Sequence, residues 1–371
     1  MTNENELEIL LVTIPGLEPP LFEEARERGF ENLTRIKGGV VFNGSWEDVW
    51  RANLEMRGAS RILVRLGSFH AVHLAQLDKR ARRFPWRDFL RPDVPVRVEV
   101  MSRKSRIYHK KAAQERIERA LTEEAGIPTS PDADISIKVR IFEDLCTISV
   151  DSSGEGLHIR GHKEALNKAP MRETLAALLL RRCGYRGQMP VIDPMCGSGT
   201  FVMEAAEITT ELQPGRSRKF AFEKLVTFDE ARWKNLKIDA PNKNSDFRFY
   251  GFDRDEGAIK RSRANAKRAG ITHLTEFNRQ TITELRPPEG PPGLVIINPP
   301  YGIRIGEAKK LYPLYQSLGN SLLGRFSGWR VGLVTNSSNL AEATGLPFTA
   351  TATPFSHGGI RVNLYATTPL P

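Results

Sequence analysis

The sequence has little cysteine and no long apolar segment. Its 371 residues include only three cysteines, Cys146, Cys183 and Cys196, and their wide spacing matches neither a disulfide framework nor a zinc site. No run of about 18 apolar residues is present, so no segment is predicted to span a membrane. The polar, acidic start of the chain predicts neither a secretory signal nor a transit peptide. These absences favour a soluble protein of the reducing cytoplasm that holds no metal.

Positive charge, by contrast, is in excess, with a formal net charge of +10. An excess of this kind favours a polyanionic partner such as a nucleic acid. Two basic clusters contain aromatic residues: the first covers 79–87 with Phe84 and Trp86, and the second covers 103–111 with Tyr108. Such clusters neutralise phosphates, although a solvated basic face has the same composition. Neither a membrane nor an obligate protein partner is indicated.

The pattern of predicted elements changes near residue 155. Before it, mixed short strands and helices indicate an α+β region, with one subdomain over 1–44 and another over 45–155. Over 156–371 strands alternate with helices, which predicts a parallel α/β sheet with right-handed crossovers. Ligands of such sheets bind at the carboxyl ends of the strands. The basic stretch 212–246 interrupts the alternation and is predicted to be a substrate-facing loop.

A glycine-containing turn lies between the first strand and the next helix of the α/β part. It comprises Asp193, Pro194, Met195, Cys196, Gly197, Ser198, Gly199 and Thr200. Glycines permit tight turns and close approach of the backbone to a ligand, and the free N–H groups of a helix N-terminus suit an anionic group such as a carboxylate. The turn matches neither the dinucleotide fingerprint nor a P-loop. It is predicted to bind a ligand, and a purely structural turn is the alternative.

A carboxylate ends the second predicted strand of the same part. Asp253 is followed by Arg254 and by a helix that begins near Glu256. An acidic residue at the end of the second strand commonly binds ribose hydroxyls. The competing interpretation makes Asp253 the N-cap of that helix.

The segment from Asn298 to Tyr301, with sequence NPPY, follows a buried apolar strand. The side-chain oxygen of Asn298 and the carbonyl of Pro299 can each accept a hydrogen bond from one exocyclic amine, which directs the nitrogen lone pair at an electrophile. Proline fixes φ and has no N–H of its own, and Tyr301 can stack on a base. A strand that simply stops at proline is the alternative. Together, the three strand ends point to a single crevice.

In this order, the glycine turn, the acidic strand end and NPPY resemble class I S-adenosylmethionine-dependent methyltransferases that act on exocyclic amines. The stretches 151–162, 168–177, 218–233 and 354–360 are similar to THUMP-domain RNA guanine-N2 methyltransferases of the bacterial 23S rRNA type. The resemblance covers most of the chain. It implies an α/β fold with a C-terminal Rossmann-like class I methyltransferase domain and an N-terminal α+β region containing an RNA-binding THUMP domain.

The resemblance also implies S-adenosyl-L-methionine as the cofactor and a role for each motif. The glycine turn would hold the methionine end of the cofactor, Asp253 its ribose, and Asn298, Pro299 and Tyr301 the target base. Thr281 is expected near the adenine ring, where such enzymes often have an acidic residue. The expected cofactor-binding residues are Asp193, Cys196, Gly197, Ser198, Gly199, Thr200, Asp253, Arg254 and Thr281.

The activity that the resemblance implies is methylation of a guanine N2 amine in structured RNA, with 23S rRNA as the first substrate and tRNA as the second. An N6-adenine DNA methyltransferase uses the same two motifs and stays an alternative. A non-catalytic RNA-binding protein with a degenerate methyltransferase domain is another, and the intact motifs count against it. A cytosine-C5 mechanism with Cys196 as nucleophile is not favoured, because this cysteine lies within the glycine turn.

Overall fold

The computed structural model describes residues 6–163, 171–238, 243–301, 307–351 and 354–371. The chain divides into two compact units. The first contains Met1–Thr13, Phe22–Leu157 and Arg218–Asp239, and the second contains Ile14–Leu21, His158–Ser217 and Ala240–Pro371. Two segments therefore depart from a single division near residue 155: a short one near the start of the chain and one from the middle of the α/β part.

The first unit is built on one mixed sheet of seven strands. In chain order these are β1 (Leu7–Val12), β2 (Thr34–Ile36), β3 (Gly39–Gly44), β4 (Arg61–His70), β5 (Val96–Arg103), β6 (Ile135–Phe142) and β7 (Leu145–Asp151). Their order in the sheet is β2-β3-β1-β4-β7-β6-β5, and all neighbours are antiparallel except β5 and β6. Strands such as β6 alternate buried and more exposed residues, as expected of a sheet with one covered face.

Four helices belong to the N-terminal half of the chain. They are α1 (Glu18–Glu27), α2 (Trp46–Glu55), α3 (Leu74–Arg82) and α4 (Lys110–Arg119), the last continued by a π-helical turn over Ala120–Glu124. α2 begins with a capping box between Ser45 and Asp48, which satisfies backbone N–H groups that lack partners within the helix. These helices and the strands of the sheet agree with the α+β region predicted for this part of the chain.

The second unit contains a sheet with five parallel strands at its centre. Its strands are β8 (Val191–Asp193), β9 (Phe249–Asp253), β10 (Thr275–Arg279), β11 (Leu294–Ile297), β12 (Arg330–Thr335), β13 (Phe348–Thr351), β14 (Phe355–His357) and β15 (Ile360–Thr367). The order is β10-β9-β8-β11-β12-β15-β13, with β14 paired to β15. β15 is antiparallel to β12, so a uniformly parallel sheet was the wrong expectation. β14 and β15 form a hairpin at Gly358 and Gly359, without the helical crossover that parallel strands need.

The C-terminal part of the chain contains further helices, of which α7 belongs to the first unit. They are α5 (Glu173–Arg182), α6 (Thr200–Thr209), α7 (Glu230–Ile238), α8 (Glu256–Ala269), α9 (Glu307–Arg325) and α10 (Ser338–Glu342). α8 ends at Gly270, whose φ of 75° is the left-handed conformation of a helix C-cap. The predicted helices after the glycine turn and near Glu256 are present as α6 and α8. The α/β class with a Rossmann-like C-terminal domain is confirmed.

The stretch predicted to be a substrate-facing loop is instead packed and partly helical. Residues 218–239 belong to the first unit and contain α7. Phe222 lies 6.1 Å from the Trp50 ring of α2, and 5.1 Å from the ring of Trp233 on α7. Phe228 completes the group at 5.7 Å from Trp50. Aromatic contacts of this kind bury much apolar area, so this stretch is part of the core of the first unit.

Candidate functional site

Three of the predicted site residues meet where the strand order reverses. β9 and β10 lie on one side of β8, and β11 and β12 lie on the other. Such a reversal opens a crevice at the carboxyl ends of the strands, where ligands of α/β sheets bind. Asp193 ends β8, Asp253 ends β9, and Asn298 directly follows β11. The structure therefore brings these three side chains to one edge of the sheet.

The glycine turn, residues 193–200, is fastened to the neighbouring strand by its own backbone. The N–H of Cys196 donates to the carbonyl of Phe252 at 2.8 Å, and the N–H of Gly197 donates to the Asp253 carboxylate at 3.1 Å. Gly197 and Gly199 have φ values of 56° and 82°, which favour glycine. A Cβ on Gly199 would lie 3.0 Å from the ring of Phe277. The turn thus requires glycine for both its conformation and its packing.

Asp193 is buried at the start of this turn. Its side chain accepts a hydrogen bond from the N–H of Met195 at 3.0 Å. Burial, with a smaller contribution from the nearby Asp253, raises the pKa of Asp193 to about 8, because a desolvated carboxylate is costly. This carboxyl group therefore holds a proton at neutral pH unless a cation approaches it.

Asp253 is not the cap of the following helix, because Asp255 fills that role. The side chain of Asp255 accepts from the N–H groups of Gly257 and Ala258 at 2.9 and 3.2 Å. Each oxygen of Asp253 accepts one backbone N–H, from Gly197 at 3.1 Å and from Asp255 at 2.9 Å. A carboxylate oxygen accepts more than one hydrogen bond, so Asp253 keeps acceptor capacity for a ligand hydroxyl.

The side chains of Cys196 and Thr200 face protein rather than open space. The Cys196 sulfur lies 3.8 Å from the Ser262 hydroxyl, and burial raises the pKa of this thiol well above its ordinary value. A thiol held in that form is a poor nucleophile. The Thr200 hydroxyl accepts a hydrogen bond from Lys163 at 2.8 Å. Ser198 is buried, and its carbonyl accepts from Asn265 at 3.1 Å. These residues offer a ligand their backbone rather than their side chains.

Arg254 and Thr281 are exposed beside the end of β9. The N–H of Gln280, next to Thr281, donates to the Asp253 carbonyl at 3.0 Å, which places Thr281 near this strand end. However, the Thr281 hydroxyl donates to the carboxylate of Glu284 at 2.7 Å and caps a short 3-10 helix. Glu284 was not singled out from the sequence, and it brings a carboxylate to the region where the family resemblance expects one.

Asn298 and Tyr301 occupy the opposite side of the crevice. The Asn298 side-chain oxygen is buried and has no hydrogen-bond partner in the described part of the chain. Tyr301 is half-buried, and burial raises the pKa of its phenol, which stays neutral. The Tyr315 hydroxyl lies 3.1 Å from the carbonyl of Pro300, so it holds the second proline and leaves the carbonyl of Pro299 to other donors. Tyr315 was missed because its position on α9 becomes relevant only in the folded chain.

Neither a metal site nor a membrane segment is found in the described ranges. Over those residues no group of three or more His, Cys, Asp and Glu side chains could hold a metal ion. Among the helices described, none is both long and apolar enough to cross a bilayer.

This strand order, with a glycine turn after the first strand and a carboxylate after the second, defines the protein as a class I methyltransferase by fold. More narrowly, the chain belongs to the family UPF0020, described as the RMKL-like methyltransferase domain, whose model matches residues 160–361. The model of the RlmL ferredoxin-like domain matches residues 8–63, and that of the THUMP domain matches 71–151. The family resemblance read from the motifs is confirmed.

Individual relatives agree with this assignment. The chain is 33% identical to the ribosomal RNA large subunit methyltransferase K/L of Psychromonas ingrahamii over 92% of its length, and it spans only 47% of that protein. It is 25% identical to SMU.472, a methyltransferase candidate crystallised with SAH, with a TM-score of 0.89 and full coverage of both chains. A protein of Listeria monocytogenes, described as a predicted N6-adenine-specific DNA methylase, is 27% identical with a TM-score of 0.89, covering 99% of this chain and 97% of its own.

Proposed function

We propose that this protein transfers a methyl group from S-adenosyl-L-methionine to the N2 amine of a guanine in structured RNA, with 23S rRNA as the first substrate and tRNA as the second. The proposed domain limits are 1–44, 45–155 for the RNA-binding THUMP region and 156–371 for the catalytic domain. The observation that carries the proposal is the buried, partnerless oxygen of Asn298 beside the glycine turn. A buried acceptor without a donor costs free energy, so an amine from a substrate is its natural partner.

The residues around the glycine turn fit the proposed cofactor. The first N–H groups of α6 lack partners within the helix, as at every helix N-terminus, and suit the cofactor's carboxylate. Asp253 keeps acceptor capacity for the ribose hydroxyls, with exposed Arg254 and Thr281 beside it. When bound, S-adenosylmethionine supplies a methyl group on a sulfonium that is itself the leaving group, so the protein need not provide a nucleophile.

The amine clamp, formed by Asn298, Pro299 and Tyr301, binds and orients the target base. The Asn298 oxygen and the Pro299 carbonyl accept the two amine hydrogens, which fixes the direction of the nitrogen lone pair. The neutral Tyr301 ring stacks on the base. The anchoring of Pro300 by Tyr315 holds the clamp in place before the substrate arrives, and such preorganisation lowers the cost of alignment in the transition state.

The relatives and the charge of the chain support RNA as the partner. The K/L methyltransferase of Psychromonas ingrahamii is named for large-subunit ribosomal RNA, and the THUMP model matches this chain. A base inside a helix is out of reach, so the target is one that is flipped out or lies in a loop. The alternative hypothesis is N6-adenine methylation of DNA, which uses the same clamp. The Listeria monocytogenes protein is described as a predicted methylase of that kind.

Mass spectrometry of digested ribosomal and transfer RNA from a strain lacking the gene tests this proposal. We expect N2-methylguanosine to decrease in one RNA pool, most strongly in 23S rRNA, and to return when the gene is restored. Loss of N6-methyladenine from DNA, with unchanged RNA, would instead support the DNA alternative. If neither nucleic acid changes and the purified protein binds no cofactor in calorimetry, the non-catalytic reading replaces the proposal.

The two basic clusters differ in how much of their surface is open to RNA. In the first, Trp86 is buried and Arg82 is paired with Asp78, Glu123 and Glu124. In the second, Tyr108 is 71% exposed, and its ring is tilted against the ring of His109 with the centroids 4.2 Å apart. Exposed aromatic rings next to cations suit unpaired bases and phosphates together. The second cluster is therefore the better candidate for RNA contact.

Paired substitutions separate the clusters. We expect Lys110→Gln with Lys111→Gln to weaken binding of 23S rRNA fragments, and to reduce the slope of log affinity against log salt by roughly 1.4–1.8. The matched control, Lys79→Gln with Arg80→Gln, removes the same charge from the first cluster. Filter binding at several salt concentrations measures both, and equal losses would show only a general effect of charge.

A further inference from the structure

A second buried amide oxygen lies on the strand next to the amine clamp. Asn336 directly follows β12, and its side-chain oxygen, like that of Asn298, has no hydrogen-bond partner among the described residues. β11 and β12 are adjacent parallel strands. We propose that Asn336 reads the edge of the target base and selects guanine over adenine. This inference rests on the proposed function, since it assigns a base to the same site.

The register of the two strands places both residues at one edge of the sheet. Ile297, the last residue of β11, pairs with Leu333 of β12. Asn298 follows Ile297 directly, and Asn336 follows the end of β12 at Thr335. Neighbouring strands are about 5 Å apart, and two residues of extended chain span about 7 Å. Both residues thus lie close together beyond the carboxyl ends of adjacent strands, where we place the target base.

Contacts on either side of Asn336 hold its backbone in place. The Tyr315 hydroxyl lies 3.4 Å from the Thr335 hydroxyl and 3.1 Å from the carbonyl of Pro300. The N–H of Ser337 donates to the Thr335 hydroxyl at 3.3 Å. Tyr315 therefore connects the amine-clamp segment to β12, the strand that Asn336 follows. The Asn336 amide is thus positioned relative to the clamp before any base is bound.

The chemistry of the two purines decides which base fits a pair of acceptors. Guanine presents an N2 amine and an N1–H donor side by side, whereas adenine presents an N6 amine next to an N1 acceptor. With the amine held by Asn298 and Pro299, the oxygen of Asn336 receives the N1–H of guanine. With adenine it would face a lone pair. A site that pairs a buried polar group with one substrate rejects the analogue that leaves this group unpaired.

Substitutions at Asn336 test this role on RNA purified from a strain lacking the gene. We expect Asn336→Leu, which keeps the size but removes the acceptor, to lower kcat/KM by roughly 10- to 100-fold. Asn336→Asp keeps only acceptors, so it should lose less than about tenfold. An asparagine that instead donated to adenine N1 would give the opposite order, because aspartate has no N–H. Asn339→Ala, at an exposed position on α10, is the matched control.

A substrate analogue supplies the decisive measurement. In a synthetic RNA that contains the methylated site, 2-aminopurine keeps the N2 amine of guanine but lacks the N1–H. We expect the wild-type protein to prefer guanine by roughly 10- to 100-fold, and Asn336→Leu to lose most of this preference. A merely structural role of Asn336 would slow both substrates equally, because only a direct contact couples the two changes.

The possible outcomes distinguish the inference from the proposed function. If the wild-type protein methylates no RNA, the proposed function itself fails. If it methylates guanine and Asn336→Leu keeps both the rate and the preference for guanine, the role of Asn336 is refuted and the function stands. Calorimetry with S-adenosylhomocysteine checks that each variant is folded, and we expect unchanged affinity, since Asn336 lies on the base side of the crevice.

Discussion

The two sides of the crevice differ in how far the protein satisfies its own polar groups. On the side of β8 and β9, Asp193, Asp253, Thr200 and Thr281 each have a hydrogen-bond partner within the chain. On the side of β11 and β12, the buried oxygens of Asn298 and Asn336 have none within the described residues. The first side is preformed, and under the proposed function the second receives its hydrogen-bond donors from the substrate.

This difference predicts where substitutions should matter most. A group that already has a partner in the protein contributes mainly to stability, and its loss should change ligand affinity only if it also contacts the ligand. A group held without a partner has no stabilising role to lose, so its removal should affect the reaction almost alone.

Asn298→Ala should remove methyl transfer while leaving cofactor affinity nearly intact. Loss of one preorganised contact to the reacting group costs about 100- to 1,000-fold in rate, and the Asn298 side-chain oxygen has no partner in the described part of the chain. Single-turnover kinetics and calorimetry measure the two quantities. Asn298→Asp, which keeps acceptor oxygens, is the matched control. Turnover of the alanine variant near the wild-type rate would remove the clamp from the mechanism.

Asp253→Ala should lower the affinity for the cofactor by roughly 10- to 100-fold, which is the contribution of a hydrogen bond to a charged acceptor. The control is Asp255→Ala, which removes the true N-cap of α8 and should cost about 1 kcal/mol of stability without changing cofactor affinity. Calorimetry and thermal unfolding report both effects. Equal cofactor affinities in the two variants would restrict Asp253 to holding the Gly197 backbone.

Asp193→Asn should flatten the dependence of stability on pH. The folded-state pKa of Asp193 is about 8, above the ordinary 3.8, so the folded protein holds this proton more tightly than the unfolded chain. The contribution to stability is therefore full below about pH 4 and is lost as pH rises through 8. Denaturant unfolding between pH 5 and 8 measures the slope. An unchanged slope in the variant would show that Asp193 ionises normally.

Thr281→Ala should have the smallest effect and change cofactor affinity by less than about threefold, because the Thr281 hydroxyl is already hydrogen-bonded to Glu284. Loss of a cap should cost up to about 1 kcal/mol of stability. Glu284→Gln, measured in parallel, shows whether the carboxylate rather than the hydroxyl faces the ligand. A large loss of affinity in the threonine variant alone would contradict the comparison between the two sides.

Much of the fold could be predicted because its signals are local. Apolar runs ending in Asp193, Asp253 and Asn298 marked three central strands, and caps such as Gly270 marked helix ends. β10 was harder to recognise, since only Thr275 and Phe277 of this edge strand are buried. α7 was missed because its apolar residues, among them Ala231 and Trp233, are spread around the helix and form no apolar stripe on one face. The antiparallel β15 depends on a hairpin that sequence periodicity does not reveal.

The candidate site, like the fold, could be predicted only in part. The motifs located the glycine turn, Asp253 and the clamp, and these now lie together, while the assignment of individual contacts to ligand stays a prediction. Tyr315 and Asn336 could not be predicted, because only the folded chain brings them next to the amine clamp. Tyr315 contacts Pro300, and Asn336 follows β12, the strand beside β11. Likewise, the inward orientation of Cys196 and Thr200 depends on Ser262 and Lys163, which are distant in sequence.

The return of residues 218–239 to the first unit has a consequence for how the chain is made. The N-terminal sheet is complete once Asp151 has been synthesised, yet the aromatic rings that pack on Trp50 follow much later. At about 5–20 residues per second, this leaves Trp50 without them for roughly 4–15 s after Asp151 has been synthesised. Because each unit is assembled from separate segments of the chain, neither can be excised by a single cut.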